Sequence, residues 1–209
     1  MSTQAARPLR GLLWDLGGVL LRTEDPGPRQ RLAARFGLTR AQLEDLVFNS
    51  PTGLAAQRGD MPARDHLAAV AAQLGLDAAA WREFWRQFWA GDRVDAHLVA
   101  WLEARKPRYR LGLLSNAWDT TRAWLARQPR LAALWDVVVI SAEVGKMKPD
   151  PAIYRHALAQ MDLPPEAVLF VDDNPANVAA ARALGLTAIR FTDPAALSQA
   201  LVAHGLPGL

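Results

Sequence analysis

The sequence has 209 residues, the length of one globular domain or of one domain with a modest insertion. Hydrophobic residues make up 51% and charged residues 22%, which excludes disorder as the overall state. The absence of cysteine excludes disulfides, thiolate zinc sites and cysteine nucleophiles, and it fits a reducing compartment. The net charge of +3 is small and no run of five basic residues occurs, so we expect no nucleic-acid partner.

The sequence shows no targeting or membrane segment. Residues 1–11 lack an apolar core of signal-peptide length, and no apolar stretch approaches the ~18 residues of a membrane span. The four histidines form no ligand-spaced pair, which argues against a histidine-based metal site. We therefore expect a cytoplasmic protein with no membrane partner, and the sequence does not indicate its oligomeric state.

Five short apolar runs predict strands that are buried on both faces, because most of them lack the alternation of a half-exposed strand. These runs cover residues 11–14, 109–114, 137–140, 167–171 and 187–191. Helical patterns over residues 118–127, 151–161 and 175–184 separate the last four runs, and another covers 194–204. This alternation predicts an α/β fold with a parallel sheet and helices on both faces.

Almost a hundred residues separate the first two predicted strands, far more than a crossover needs. Helical patterns fill this interval at residues 29–36, 40–49, 63–74, 78–90 and 95–106, with breaks at Gly37, Pro51-Thr52-Gly53, Gly59, Gly75 and Gly91. We therefore predict an inserted helical domain over residues 22–93, and a core formed by residues 1–21 and 94–209.

Aromatic residues line one face of a predicted helix in this insertion, at Trp81, Phe84, Trp85, Phe88 and Trp89. The simplest interpretation is that they form the core of the inserted bundle, and the alternative is an aromatic wall facing a substrate. Trp118 allows the same two interpretations.

Polar residues follow the predicted strands, where the carboxyl ends of parallel strands meet at one edge of the sheet. The first four runs lead to Asp15, Ser115-Asn116, Ser141 and Asp172-Asp173, and the fifth leads to Thr192-Asp193. A bound cation would relieve the repulsion among converging carboxylates. Oxygen ligands without histidine or cysteine favour Mg²⁺ over zinc.

Two further features point to this edge. Gly17 and Gly18 follow Asp15 and allow a ligand to approach the backbone closely. Lys148 is one of only three lysines among 24 basic residues, and it precedes a predicted helix. In a chain that otherwise uses arginine, a lysine here suggests a need for a compact charge.

Four motifs in order give the sequence a resemblance to the haloacid dehalogenase superfamily of hydrolases. They are Asp15-Leu16-Gly17-Gly18-Val19, Leu113-Leu114-Ser115-Asn116, Lys148-Pro149, and Phe170-Val171-Asp172-Asp173-Asn174 with Asn177 downstream. The insertion lies where that superfamily carries a helical cap. Receiver domains share some of these residue types, but they place the acidic pair after the first strand. The resemblance implies a Rossmann-like core with a helical cap and is closest to the epoxide-hydrolase phosphatase and sugar-phosphate phosphatase subgroup.

The resemblance also implies residue roles. Asp15 would be the nucleophile that forms an aspartyl-phosphate, and Lys148 would neutralise charge beside it. Ser115 and Asn116, with backbone amides near Gly17 and Gly18, would hold the phosphoryl oxygens. Mg²⁺ would be bound by Asp15, the Gly17 carbonyl and Asp173, with Asp172 in support. The expected activity is a Mg²⁺-dependent phosphatase acting on a small phosphorylated metabolite such as a sugar phosphate.

One position departs from this pattern, because most phosphatases of the superfamily have an aspartate where this sequence has Gly17. That aspartate protonates the leaving group, an effect typically worth ~10²–10⁴-fold in rate. A good leaving group, a substitute from the cap or a water, or feeble catalysis would each account for the glycine. Asp65, His66 and Glu83 are the cap residues that could face the site.

Two alternative functions follow from this departure. A 2-haloacid dehalogenase also lacks the second aspartate, but it typically has tyrosine at the Gly17 position and no acidic pair like Asp172-Asp173. The other alternative is a weakly active or non-catalytic scaffold that keeps the fold. Metal binding together with turnover of a phosphate ester would exclude the scaffold.

Overall fold

The computed structural model describes residues 8–209, so the start of the predicted core segment 1–21 lies outside the described residues. Five strands form a parallel sheet in the order β5-β4-β1-β6-β7. Their bounds are β1 Gly11–Trp14, β4 Arg110–Ser115, β5 Val137–Ile140, β6 Val168–Asp172 and β7 Thr187–Arg190. All five predicted strands are confirmed within a residue or two at each end, and so is the α/β fold class.

Helices flank this sheet and connect its strands. They are α6 Ala96–Glu103, α7 Thr121–Ala126, α8 Pro129–Ala132, α9 Ser141–Val144, α10 Pro151–Met161, α11 Pro175–Ala183 and α12 Pro194–Ala203. The helix predicted over 118–127 starts three residues later than expected, and the short helices α8 and α9 were not predicted. Within residues 8–209, no helix combines the length and apolar character needed to cross a bilayer.

Each face of the sheet carries its own apolar core. On one face Leu12, Trp14 and Leu113 pack with residues of α6 and α12, and on the other Leu13 and Phe170 pack with residues of α10 and α11. Strand β1 lies in the middle of the sheet between β4 and β6. The carboxyl end of β1 is therefore flanked on both sides by the ends of buried strands, which fixes Asp15 between them.

The inserted segment forms helices between two short strands, β2 Leu21–Thr23 and β3 Asp92–Val94, which pair antiparallel. Its helices are α1 Gly27–Ala34, α2 Arg40–Glu44, α3 Pro51–Arg58, α4 Ala63–Gln73 and α5 Ala78–Phe88, with a π-helical turn at Asp45–Asn49. We call residues 27–88 the helical insertion. The β2–β3 pair lies at the predicted boundaries near 22 and 93, and the division into two domains stays a prediction.

The expected break at Pro51-Thr52-Gly53 is wrong, because these residues begin helix α3. The Ser50 side chain accepts a hydrogen bond from the Gly53 backbone N–H at 3.2 Å, and Pro51 occupies the first helical position. Proline at that position forfeits no intrahelical hydrogen bond, so a Ser-Pro pair starts a helix as readily as it ends one. The helix predicted over 40–49 likewise divides into α2 and the π-helical turn.

The aromatic residues of α5 contribute to a core inside the helical insertion. Phe84 and Phe88 are fully buried, whereas Trp81, Trp85 and Trp89 are half-buried and pack around them. Trp118 lies in the loop after β4 and joins the same cluster: its ring stacks on Phe48 with centroids 5.7 Å apart, and its centroid lies 5.4 Å from that of the His66 ring. Packing is therefore the main role of this aromatic face, and Trp118 fastens the insertion to the sheet.

A buried arginine connects the helical insertion to the β2–β3 pair. The Arg29 guanidinium donates to both carboxylate oxygens of Asp92 at 2.8 and 2.9 Å, to Glu44 at 2.8 Å and to the Phe88 carbonyl at 3.1 Å. It also lies 4.2 Å from the centroid of the Phe88 ring. Every polar atom that Arg29 buries thus has a partner, which offsets the cost of burying its charge.

We predict that Arg29→Met destabilises the protein by about 3 kcal/mol, because it leaves the buried Asp92 carboxylate without its main counter-charge. The measurement is the free energy of unfolding from chemical denaturation. Arg31→Met, on the exposed side of the same helix, is the matched control and should change stability by less than about 0.5 kcal/mol. Equal effects of the two substitutions would show that the Arg29 network contributes no stability.

Candidate active site

The first predicted site residue, Asp15, lies directly after β1 with its side chain almost fully buried. Its backbone N–H donates to the Val171 carbonyl at 2.9 Å, which extends the pairing with β6 by one residue. One carboxylate oxygen, Oδ1, accepts a hydrogen bond from the Leu16 N–H at 2.7 Å. The strand end and this short turn therefore fix the carboxylate before any ligand arrives.

Lys148 is the cation that Asp15 faces. Its Nζ lies 2.8 Å from Asp15 Oδ1 and 2.6 Å from Asp172 Oδ2, and it donates to the Leu114 carbonyl at 2.9 Å. These three acceptors come from the ends of β1, β6 and β4 and satisfy all three N–H groups of the ammonium. The fully buried charge thus ties the ends of three strands together.

Burial governs the electrostatics of the nucleophile candidate. It raises the pKa of Asp15 to about 7, since desolvation and the neighbouring charges of Asp172 and Asp173 together outweigh the attraction of Lys148. The pKa of Lys148 is also raised, because the two carboxylates overcome the desolvation of its ammonium. Partial desolvation by its buried neighbours and the charge of Asp172 raise the pKa of Asp173 as well, although Asp173 still contacts solvent. Further positive charge near Asp15 and Asp173 would therefore lower both pKa values and favour the ionised carboxylates.

Asp172 is already occupied by protein partners. Its Oδ1 accepts from the Asn174 N–H at 2.8 Å, and the Asn177 side-chain amide donates to both of its oxygens at 3.0 and 3.1 Å. Asn177, which follows the fourth motif, lies in the first turn of α11. It holds Asp172 in the orientation that faces Lys148.

Asp15, Asp172 and Asp173 each offer a carboxylate oxygen, and these atoms all lie within 4.8 Å of one another. Asp173 is the exposed member of the group. Three clustered carboxylates form a donor set suited to a hard cation. Among the described residues, Asp193 stands apart from this cluster and caps helix α12 by accepting from the Ala196 N–H at 2.8 Å.

The two glycines after Asp15 differ in their surroundings. Gly18 has a φ of +79°, and a Cβ at this position would overlap the Asp173 carboxylate, so only glycine allows Asp173 to lie against the backbone. Gly17 is exposed, and a Cβ there would meet nothing within 4 Å. The space for a side chain is present at Gly17, although the sequence provides none.

Side-chain hydrogen bonds of Asn116 and Ser141 hold the loop that follows β4. Ser115 is the buried last residue of the strand. The Asn116 side chain pairs with the Lys148 backbone through both its amide atoms, each at 2.8 Å. Ser141 was expected at the polar edge, and its hydroxyl instead binds the backbone of Ala117 at 2.9 and 3.2 Å.

The three cap candidates for an acid are placed differently. His66 is buried and both ring nitrogens are engaged, with Thr52 Oγ1 at 2.9 Å and the Val47 carbonyl at 2.8 Å, and burial lowers its pKa. Glu83 pairs with Arg86 at the surface. Asp65 is exposed beside Arg64. His66 therefore serves the packing of the insertion.

The chain matches the family model described as haloacid dehalogenase-like hydrolase over residues 9–185. This match covers most of the sequence and includes every residue of the cluster around Asp15. The chain belongs to this family. The resemblance inferred from the four motifs is confirmed, and the protein is a hydrolase.

Relatives within the family differ in their activities. A sesquiterpene phosphatase from Aspergillus oryzae is 29% identical over 88% of this chain and 90% of its own. The structure of an L-2-haloacid dehalogenase is 29% identical, with a TM-score of 0.62, over 89% of this chain and 85% of that one. Overall identity therefore does not separate the two chemistries.

A solved structure also shares the fold at lower identity. A haloacid dehalogenase-family enzyme from Bacteroides thetaiotaomicron, in complex with magnesium and inorganic phosphate, has a TM-score of 0.74 at 19% identity. The alignment covers 88% of this chain and 94% of that one. At this identity the likeness establishes the fold alone.

We predict that Gly18→Ala destabilises this hydrolase by about 1–3 kcal/mol, because a left-handed backbone and the Asp173 carboxylate both oppose a Cβ. Gly17→Ala is the adjacent control, and we expect its stability to stay within about 0.5 kcal/mol of the wild type. Thermal unfolding of the two variants measures the difference. Equal melting temperatures would contradict the assigned contact between Gly18 and Asp173.

Proposed function

We propose that the protein is a Mg²⁺-dependent phosphatase that hydrolyses a small phosphorylated metabolite through an aspartyl-phosphate at Asp15. The observation that carries this proposal is the cluster of three carboxylates with a lysine ammonium 2.8 Å from Asp15 Oδ1. An acidic cluster of this kind favours a bound cation, and a buried lysine beside the nucleophile favours an anionic substrate. Both requirements fit a phosphate ester.

The residues present fit Mg²⁺. Asp15 and Asp173 would bind it through carboxylate oxygens and Gly17 through its backbone carbonyl, with Asp172 supporting from behind. The raised pKa of Asp173 supports this assignment, because its carboxylate gains from a nearby cation. When bound, the metal would neutralise the charge of the phosphoryl group and of the carboxylates around it.

Each residue of the site has a separate role in the two steps of the reaction. A carboxylate oxygen of Asp15 attacks phosphorus, and the bond from phosphorus to the leaving oxygen breaks with its electron pair going to that oxygen. Lys148 stabilises the negative charge next to Asp15, and Ser115 binds a phosphoryl oxygen with help from the backbone N–H groups of Gly17 and Asn116. The Gly18 N–H, which was expected to contribute, donates instead to the Leu21 carbonyl at 3.0 Å. Water then attacks the aspartyl-phosphate, which releases phosphate and regenerates Asp15.

The dehalogenase alternative fits this site less well. Attack on carbon needs no metal, so the carboxylates of Asp172 and Asp173 would add repulsion without serving that chemistry. Most of Asp172 is paired, but Asp173 is exposed and has no lysine or arginine in a salt bridge with it among the described residues. The acidic pair therefore favours phosphoryl transfer over carbon–halogen cleavage.

The absence of an acidic side chain at Gly17 restricts the kind of leaving group that the substrate can have. His66 has no free nitrogen, and Asp65 and Glu83 pair with arginines at the surface, so we favour a bound water or an intrinsically good leaving group. An anomeric oxygen of a sugar 1-phosphate leaves more readily than a primary alkoxide and needs less protonation. We therefore favour a sugar phosphate with the phosphate at an activated oxygen, and we take residues 22–93 as the cap that covers it.

We predict that the wild type hydrolyses a generic aryl phosphate in Mg²⁺, and that Asp15→Asn lowers kcat by at least ~10³-fold, as nucleophile deletions do elsewhere. The reason is that a carboxamide cannot form the acyl phosphate. Steady-state phosphate release measures both rates. Asp173→Ala should also abolish the Mg²⁺-dependent rate while circular dichroism shows the fold intact.

Turnover of 2-haloacids without Mg²⁺, and none of phosphate esters, would replace the proposal with the dehalogenase. Turnover of neither class, with no heat of Mg²⁺ binding by calorimetry, would favour the non-catalytic scaffold. Full phosphatase activity in EDTA would refute the metal assignment alone.

We predict that the wild-type rate depends steeply on the pKa of the leaving group, because Gly17 supplies no proton. Aryl, anomeric and acyl phosphates should react far faster than primary alkyl phosphates. Gly17→Asp should accelerate the alkyl phosphates by ~10²-fold or more, the lower range of general acid catalysis. The backbone at Gly17 lies outside the left-handed region and a Cβ has open space, so this variant should fold.

A linear free-energy plot of rate against leaving-group pKa measures both enzymes. A flat plot for the wild type would mean that another group already donates the proton. A stable Gly17→Asp enzyme with an unchanged slope would mean the same.

A further inference from the structure

The side chain of Asn116 was expected to contact the phosphoryl group, but its observed hydrogen bonds are with the backbone of Lys148. Asn116 Nδ2 donates to the Lys148 carbonyl at 2.8 Å, and the Lys148 N–H donates to Asn116 Oδ1, also at 2.8 Å. The amide therefore pairs with one residue through both its donor and its acceptor. This commits Oδ1 and one of the two Nδ2 hydrogens to the Lys148 backbone, which fixes the orientation of the amide.

Apart from one turn bond, from the Asp150 N–H to the Met147 carbonyl at 2.8 Å, the Lys148 backbone is held by its pair with Asn116. Lys148 lies in the irregular segment between the end of α9 at Val144 and the start of α10 at Pro151. Gly145 begins this segment with a left-handed φ of +69°, and the residue after Lys148 is a proline, which has no N–H to donate. The Asn116 pair replaces the strand or helix bonds that hold the other site residues.

The ammonium at the far end of Lys148 requires accurate placement. It reaches three acceptors on three strand ends at 2.6 to 2.9 Å, and the side chain is fully buried. A shift of the Lys148 backbone by one ångström would break at least one of these contacts. In a buried site, such a displacement of a catalytic group costs on the order of 10²-fold in rate.

We propose that Asn116 is a positioning residue that acts through Lys148, and that its side chain does not bind the phosphoryl group. This inference rests on the proposed phosphatase function for its kinetic consequence, although the structural consequence is independent of it. The Asn116 backbone N–H is unaffected by the proposal and remains available to a phosphoryl oxygen.

A double-mutant cycle on kcat/KM for an aryl phosphate tests the proposal. We expect Asn116→Ala to lower kcat/KM by about 10²-fold in the wild-type background, and by less than about twofold in the Lys148→Ala background. A residue that bound the phosphoryl group directly would cost the same factor in both backgrounds. Multiplicative losses would therefore overturn the proposal.

Two further variants separate positioning from general structural damage. Asn116→Asp keeps the size and the acceptor but loses the donor to the Lys148 carbonyl, so it should lose activity and show the same non-additivity. It also replaces Asn116→Ala in the cycle if the alanine variant does not fold. Gln160→Ala removes an exposed amide from α10 and should leave kcat/KM unchanged.

A crystal structure of metal-free Asn116→Ala distinguishes failure of this inference from failure of the proposed function. We expect the segment around Lys148 to move, and its Nζ to leave the 2.8 Å contact with Asp15 Oδ1. This result would stand even if the protein turned over no phosphate ester. Lys148 in its wild-type position, with all three Nζ contacts intact, would overturn the proposal whatever the activity.

Discussion

The arrangement of this protein depends on one buried ion network, the ammonium of Lys148 between the carboxylates of Asp15 and Asp172. The two carboxylates end adjacent strands of a sheet that is apolar on both faces, so their mutual repulsion is barely screened by water. Lys148 offsets that repulsion and also donates a hydrogen bond to the Leu114 carbonyl at the end of a third strand. The nucleophile candidate is thereby fixed in place, and its pKa is raised because burial and the neighbouring carboxylates outweigh the single charge of Lys148.

A single loop links this network to the helical insertion. Ser115 is the last residue of β4. The Asn116 side chain forms two hydrogen bonds with the Lys148 backbone, and the Ala117 N–H donates to the Ser141 hydroxyl. Trp118 then packs into the aromatic core of the insertion, and the Asp119 carboxylate accepts from the N–H of Ala63 at the start of α4. The residues that would contact the phosphate and those that hold the insertion are thus consecutive in sequence. A displacement of the insertion would therefore reach the contact between Asn116 and Lys148 through only a few residues of this loop.

The sequence predicted those parts of the fold that depend on local pattern. Continuous apolar runs located the buried strands, and because parallel strands share one edge, the residues after them located Asp15, Asp172 and Asp173. Pro51 was misjudged because proline both ends and begins helices, and the three-residue strands β2 and β3 are too short to show a pattern. The contacts of Arg29 with Asp92 and of Asn116 with Lys148 join residues far apart in sequence, which no local pattern specifies.

The most direct test of the central claim is a crystal structure with Mg²⁺ and beryllofluoride, which mimics a phosphoryl group bonded to a carboxylate. The account predicts beryllium bonded to a carboxylate oxygen of Asp15, the metal between Asp15 and Asp173, and Lys148 Nζ within hydrogen-bond distance of the complex. Beryllofluoride bound away from Asp15, or no metal between these two carboxylates at saturating Mg²⁺, would contradict it.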